Sequence, residues 1–219
     1  MLSHLDRILF PDRCEVLEVI PSQRYVYAIF KNGHSSLSSY QIVNKPRIFV
    51  NQQIKKIKSI DVIIRNPYDR LISGINTYVQ HIIKENPGLD LATVEWFAQN
   101  YLYLDRHYCP QFSWLLNLAR YTNIDTTLNF LPMSVISEIT GRNDKPIGIV
   151  EASDELVQKL SHITNNEMDQ RIDTVIFESI GQSMTFREVL QKIKTTDPAA
   201  YDCVIGYAQQ ILNPTYVLS

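Results

Sequence analysis

Short apolar runs of strand length alternate with helix-like segments in this chain, and this alternation constrains its fold more than any other feature. The predicted strands cover residues 25–30, 47–50 and 60–64, and 127–131 is a fourth. Continuous apolar runs of this length are typical of central strands that are covered on both faces. We therefore predict an α/β fold in which a parallel sheet is flanked by helices, with a mostly helical C-terminal part.

Helix-starting signals follow these strands. One helix is predicted over about 35–43. Another begins at Pro67 with Asn66 as its cap, because proline lacks the N–H group that the first turn of a helix leaves without a partner. Further helices are predicted over about 90–102 and 110–120, after a cap at Ser153, after a capping box at Thr185 and Glu188, and from Asp197-Pro198 onward.

Composition and charge argue against several classes of partner. Among 219 residues, 45% are hydrophobic and 20% are charged, as in an ordinary globular protein. The net charge of −2 gives no overall basic field that would attract nucleic acid or an anionic membrane. No stretch approaches the roughly 18 apolar residues that a membrane span needs, and no secretory signal opens the chain. The three cysteines are widely spaced, so we expect reduced thiols in a cytoplasmic protein.

The segment Lys31-Asn-Gly-His-Ser-Ser36, called loop 1 below, follows the first predicted strand and opens a helix. The N–H groups of a tight loop and a helix start favour phosphate or sulfate. Gly33 allows close approach or a positive φ, Ser35 and Ser36 add hydroxyl donors, and Lys31 adds a mobile charge. Loop 1 is not a Walker A loop, because its lysine precedes the glycine and no second glycine follows. Taken alone, it could also be a plain turn with a solvated lysine.

The segment Arg65-Asn-Pro-Tyr-Asp-Arg-Leu-Ile-Ser73, called loop 2 below, leaves the next central strand at the carboxyl edge, where doubly wound sheets bind ligands. Arg65 suits bidentate recognition of a phosphate, and Ser73 can add one hydrogen bond. Arg70 and Ser73 are three positions apart and share a helix face. The alternative is that Arg65 pairs with a carboxylate and Arg70 is a solvated helix residue.

Together, the two loops resemble those of the cytosolic and carbohydrate sulfotransferases. In that family, Lys/Arg-x-Gly-x-Ser/Thr-Ser/Thr holds the 5′-phosphosulfate of 3′-phosphoadenosine 5′-phosphosulfate (PAPS), and Arg-Asp-Pro-x-x-Arg-x-x-Ser holds its 3′-phosphate. The matching residues are Lys31, Gly33, Ser35 and Ser36 in loop 1, and Arg65, Pro67, Arg70 and Ser73 in loop 2. The family's usual aspartate is Asn66 here, which keeps the capping function.

A third segment, Asp105-Arg-His-Tyr-Cys-Pro-Gln111, resembles the Asp-x-His-x-x-Pro-Gln segment of the carbohydrate sulfotransferase branch. The three motifs cover roughly residues 25–115, and the chain beyond Tyr121 has no motif-level match. The resemblance implies one domain over 1–219 with a P-loop-like sulfotransferase fold. Its nucleotide-binding core would span about 20–120 and its helical part about 132–219.

The resemblance implies in-line transfer of a sulfuryl group from PAPS to an acceptor hydroxyl, with adenosine 3′,5′-bisphosphate as the leaving group. Lys31 and the N–H groups from Gly33 to Leu37 would stabilise the developing negative charge. No metal is expected. The residues expected to bind PAPS are Lys31, Asn32, Gly33, His34, Ser35, Ser36, Leu37, Arg65 and Ser73.

A base must accept the proton of the attacking hydroxyl, and histidine suits this role near neutral pH. His107 is the first choice, because its segment lies near the site in the family and Asp105 or a backbone carbonyl could orient its ring. His34 in loop 1 is a second candidate. A purely structural role for His107 and a carboxylate base such as Glu95 stay open.

The acceptor is less constrained, although a carbohydrate is favoured over a phenol or a protein. Aromatic side chains are dense between Trp96 and Trp114 and could line an acceptor pocket, since sugars and phenols stack on aromatic rings. The same side chains could instead belong to the core. Two other classes stay open: a non-catalytic nucleotide-binding relative, and a P-loop phosphotransferase using ATP or GTP. The phosphotransferase requires an acidic magnesium ligand after a strand, whereas Asp61 lies within one.

Overall fold

The structure is a computed structural model that describes residues 14–20, 22–27, 29, 32–33, 37, 46–71, 73–74, 110–141 and 167–211. Its strands are β1 (Glu15–Val19), β2 (Arg24–Tyr27), β3 (Arg47–Val50), β4 (Ser59–Ile64), β5 (Thr127–Pro132) and β6 (Ser183–Thr185). Its α-helices are α1 (Gln111–Ala119), α2 (Ile136–Thr140), α3 (Glu167–Phe177), α4 (Phe186–Thr196) and α5 (Pro198–Ile211). Residues 67–71, 73 and 74 are also helical, and short 3₁₀ helices cover Asn51–Lys56 and Met133–Val135.

The described strands form one six-stranded sheet in the order β3-β1-β2-β4-β5-β6. Neighbours β2, β4 and β5 are parallel, whereas β1 runs antiparallel to β2 and β3, and β6 runs antiparallel to β5. The α/β architecture with a helical C-terminal part is therefore confirmed, but the sheet is mixed rather than parallel throughout. A tight turn joins β1 to β2, and so short a connection permits only an antiparallel pair.

Four predicted strands are present, with changes at their ends. The first ends at Tyr27 instead of extending to residue 30, while β3, β4 and β5 match their predicted segments to within a residue. Strands β1 and β6 were not predicted, and β6 interrupts the part of the chain that was expected to be helical. The predicted helices over 90–102 and after Ser153 lie outside the described residues, as does 35–43 apart from Leu37, which is helical.

The sheet has a hydrophobic core on each face. The larger core takes Ile60, Val62 and Ile64 from β4 and is covered by α1, α3, α4 and α5. The smaller core takes Ile63 from the other face of β4 and includes Leu37 and a residue of α2. Full burial of each such isoleucine contributes about 1.5–3 kcal/mol. Strand β4 is therefore a central strand covered on both sides, as its apolar sequence predicts.

Three predicted helix starts are confirmed by their hydrogen bonds. The Oδ1 atom of Asn66 accepts from the N–H groups of Tyr68 at 2.9 Å and Asp69 at 3.2 Å. Thr185 and Glu188 form the predicted capping box at α4, and Asp197 Oδ1 accepts from the N–H of Ala200 at the start of α5. No helix within the described ranges is both long and apolar enough to cross a bilayer.

Candidate functional site

The two loops follow neighbouring parallel strands and so leave the sheet at the same edge. Loop 1 comes after β2 and loop 2 after β4, with Tyr27 level with Val62 in the register. The side chain of Asn32 in loop 1 reaches β4, the strand that leads into loop 2, because its Nδ2 atom donates to the carbonyl oxygen of Ile63 at 2.8 Å. The expectation that loops 1 and 2 lie together is thus met for their described residues.

Gln111 joins the two loops through its side-chain amide. Its Oε1 atom accepts from Asn32 Nδ2 at 2.5 Å and from the Arg65 N–H at 3.0 Å, while its Nε2 atom donates to the Arg65 carbonyl at 2.9 Å. The residue is fully buried. An amide carries donors and an acceptor on one flat group, so it can hold two backbone loops at once. The sequence identified Gln111 only as the end of the third motif and assigned it no role.

Asp173 of α3 fixes the helix that carries Gln111. Its two carboxylate oxygens accept from the N–H groups of Gln111 at 2.8 Å and Phe112 at 3.0 Å, which begin α1. A carboxylate is favoured there, since the first N–H groups of a helix lack partners within it. No sequence motif marks Asp173, because it lies about sixty positions from its partners.

Burial sets the electrostatics of Asp173. Removal from water raises the pKa of this carboxyl from 3.8 to about 6, while the positive charge of Arg70 and the N–H groups of α1 act in the opposite direction. Arg70 itself is only 3% exposed. The interpretation of Arg70 as a solvated helix residue is therefore wrong, and loop 2 directs this cation into the protein toward α3.

Arg65 stands at the start of loop 2 with its side chain half-buried. Burial lowers the pKa of its guanidinium, and the carboxylate of Asp69 acts in the opposite direction. Arginine remains charged at neutral pH under such a change. Ser73, two turns along the same helical segment, is buried. Loop 2 thus places a partly desolvated cation at the sheet edge, a setting that strengthens its attraction for an anion.

Loop 1 has the backbone conformation expected of its glycine. Gly33 has φ of +87°, and a Cβ atom there would collide with the Ile136 side chain of α2. The predicted positive φ is confirmed, and the group that approaches Gly33 is a side chain of the smaller core. The N–H of Leu37 donates to the Gly33 carbonyl at 3.0 Å, so it closes a helical turn. Asn32 within loop 1 and Leu37 directly after it are both fully buried.

Several predicted site residues lie outside the described residues. They include the lysine and the two serines of loop 1 that were expected to bind the anion, Lys31, Ser35 and Ser36. They also include all the candidate bases, His107, His34 and Glu95. Their roles remain predictions. Of the aromatic side chains between Trp96 and Trp114, the two described ones, Phe112 and Trp114, are buried in the larger core, so the core interpretation is confirmed for them.

Asp61 is engaged in the middle of the sheet. Its carboxylate accepts from Arg24 Nε and, at 2.8 Å, from Asn129 Nδ2, which lie on the strands at either side of β4. It therefore does not project from the carboxyl end of β4. Among the described residues, no group of three or more histidine, cysteine, aspartate or glutamate side chains is arranged to hold a metal ion. The described cysteines, Cys14 and Cys203, are free thiols as expected.

No protein-family model, curated protein or solved structure matches this chain.

Proposed function

We propose that this protein is a sulfotransferase that moves a sulfuryl group from PAPS to an acceptor hydroxyl, most suitably of a carbohydrate. The observation that carries the proposal is the Gln111 amide, which holds Asn32 of loop 1 and Arg65 of loop 2 at one edge of the sheet. PAPS carries two separate anionic groups, and a ligand of that kind requires two anion-binding loops at a fixed separation. A hydrogen-bonded bridge between the loops would supply this separation before the ligand arrives.

The two loops would divide the donor between them. Loop 1, with Lys31 and its N–H groups, would hold the 5′-phosphosulfate at the reacting end. Loop 2 would hold the 3′-phosphate through Arg65 and Ser73. The half-buried guanidinium of Arg65 supports this assignment, because a planar cation in a partly desolvated setting binds a phosphate in bidentate fashion.

The reaction would be a single in-line displacement. The acceptor oxygen forms a bond to sulfur while the bond from sulfur to the bridging phosphate oxygen breaks, and that electron pair leaves with adenosine 3′,5′-bisphosphate. The acceptor proton passes to a base, for which His107 is the first choice and His34 the second. Lys31 would stabilise the charge that develops on the bridging oxygen and on the sulfonyl oxygens.

A phosphotransferase fits the described residues less well. Such an enzyme holds magnesium with an acidic side chain at the end of a strand. Asp61 lies inside β4 and is already bonded to Arg24 and Asn129. No specific observation favours this second function, so the donor remains the point to test.

Ligand-dependent melting separates the two donors. A ligand that binds the folded state alone raises the melting temperature, so adenosine 3′,5′-bisphosphate should raise it without added metal, and ATP with Mg²⁺ should have little effect. If only ATP with Mg²⁺ stabilises the protein, the sulfotransferase proposal is wrong.

Substitutions in the two loops test whether the donor binds there. Lys31→Ala and Arg65→Ala should each weaken the response to the bisphosphate. Arg47→Ala is the matched control, because this exposed arginine lies on β3, an outermost strand of the sheet that is separated from β2 by β1. Equal responses from all three variants would show that the site lies elsewhere.

The base is tested by turnover. His107→Ala should abolish transfer of labelled sulfuryl from PAPS to a carbohydrate acceptor while leaving bisphosphate binding intact. Normal turnover in this variant would remove His107 from the mechanism and make His34→Ala the next test.

A further inference from the structure

Asp173 is far from loops 1 and 2 along the chain, yet a single residue, Gln111, connects it to both loops. Its carboxylate binds the first two N–H groups of α1, and the residue at the first of these positions is Gln111. The side chain of Gln111 then contacts Asn32 and Arg65. Asp173 is 4% exposed and Gln111 is fully buried, so water cannot readily replace either set of hydrogen bonds.

We propose that Asp173 is a positioning residue of the donor site, which sets the separation of loops 1 and 2 by fixing the Gln111 amide between them. The proposal rests on the sulfotransferase function proposed above, since it assigns to α3 a part in binding the two anionic groups of the donor. Asp173 itself would not contact the ligand.

A second connection ties Asp173 to loop 2. The charge of Arg70 lowers the pKa of the Asp173 carboxyl, which places the buried Arg70 guanidinium within electrostatic reach of it. Arg70 lies in the helical segment that begins with the Asn66 cap, and its N–H donates to the Asn66 carbonyl at 3.0 Å. Loop 2 is therefore held from α3 in two ways, through the backbone of Arg65 by way of Gln111 and through the charge of Arg70.

Two carboxylate oxygens are needed for this arrangement. Each oxygen accepts a different N–H group, and both lie in the field of one cation. In Asp173→Asn, one of the two oxygens becomes an NH₂ group that faces an N–H donor, and the negative charge is lost. We expect α1 to shift or fray at Gln111, so that the amide no longer holds both loops in place.

The test measures bisphosphate affinity and local amide exchange together. In Asp173→Asn, the affinity for adenosine 3′,5′-bisphosphate should fall roughly tenfold, because apparent affinity scales with the fraction of molecules whose loops are correctly placed. The Arg65 amide, whose N–H donates to Gln111, should exchange faster, while the Val62 amide of β4 should not change. Asp202→Asn is the matched control, since Asp202 is exposed on α5, and it should alter neither quantity.

A double variant tests the route through Gln111. Gln111→Met keeps the size of the side chain and removes its hydrogen-bonding atoms, so it should reproduce both effects. Because Asp173 also connects to loop 2 through the charge of Arg70, the loss of bisphosphate affinity in the double variant should be clearly smaller than the sum of the two single losses. Additive losses would overturn the proposed route. If Asp173→Asn does not fold, Gln111→Met alone decides, and unchanged affinity with unchanged Arg65 exchange overturns the proposal.

Failure of the proposal and failure of the proposed function give different results. An unaltered protein that binds the bisphosphate, beside an Asp173→Asn variant that binds it equally well, overturns the positioning role alone. Lower thermal stability with unchanged affinity and unchanged Arg65 exchange also overturns it, because Asp173 would then be only structural. An unaltered protein that does not bind the bisphosphate overturns the donor assignment, and Arg65 exchange still decides whether Asp173 holds loop 2.

Discussion

At the scale of single residues, Gly33 shows how loop 1 depends on the core beneath it. Its φ of +87° is strained for any residue with a Cβ atom, and a Cβ there would also collide with Ile136 Cδ1. Gly33→Ala should therefore lower the free energy of unfolding by more than the roughly 1–2 kcal/mol that left-handed backbone costs an alanine. Urea unfolding measures the difference.

Gly181 provides the matched control for Gly33. It has a similar φ of +84°, but nothing lies within 4 Å of the position that its Cβ would take. Gly181→Ala should show the backbone cost alone. Adding Ile136→Val to Gly33→Ala removes the colliding Cδ1 atom and should recover part of the loss. Equal losses in the two glycine variants would show that loop 1 moves away from Ile136 at little cost.

Gln111 and Asp173 show which parts of the site a sequence can reveal. The glycine of loop 1 and the cap of loop 2 depend on neighbours a few positions away, so local pattern was enough to predict them. The contacts of Asp173 with α1 depend on how α3 packs against it, about sixty positions later in the chain. A single buried aspartate has no spacing rule, and nothing in its own neighbourhood indicates its partner.

At the scale of secondary-structure elements, the cap of loop 2 can be tested against a cap that lies elsewhere. Asn66→Ala removes the acceptor for two N–H groups at the start of the loop 2 helix, and it should cost about 1 kcal/mol of stability. The same change should weaken binding of adenosine 3′,5′-bisphosphate, because that helix carries Ser73 and begins directly after Arg65 and Asn66. Thermal unfolding and calorimetric titration measure the two effects.

Thr185→Ala is the control that separates the loss of stability from the loss of bisphosphate affinity. Thr185 caps α4, so its loss should cost a similar amount of stability and leave bisphosphate affinity unchanged. If both variants weaken binding to the same extent, affinity follows general stability, and loop 2 would have no special part in it.

Strands β1 and β6 were not predicted from the sequence, because neither shows a clear hydrophobic pattern. Strand β1 reads Glu-Val-Leu-Glu-Val, so its apolar residues neither alternate strictly nor form a continuous run. Strand β6 has three residues, too few to show any period. Both lie outside the parallel centre of the sheet: β1 is held by antiparallel pairing with β2 and β3, and β6 is an edge strand that pairs with β5 alone. The central strands are predictable because two covering layers require apolar residues along their whole length.

At the scale of the whole molecule, the buried carboxylate of Asp173 links the helical part of the chain to the sheet edge and makes stability depend on pH. Its pKa is raised to about 6 in the folded protein, from 3.8. A raised pKa means that the folded state binds the proton more tightly than the unfolded state. The stabilisation from this group is therefore complete below about pH 4 and is lost as the pH rises through about 6.

Comparison with Asp173→Asn isolates this dependence, because asparagine does not titrate. Between pH 4 and pH 7, the unaltered protein should lose roughly 2 kcal/mol of unfolding free energy relative to the variant, most of the effect of a pKa raised by about two units. Urea unfolding at several pH values measures the difference. Glu188 and Asp197, whose pKa values are lowered, change stability in the opposite direction, but they are present in both proteins and cancel. A difference that stays constant or grows in favour of the unaltered protein with rising pH would show that Arg70 and the α1 N–H groups outweigh the burial of Asp173.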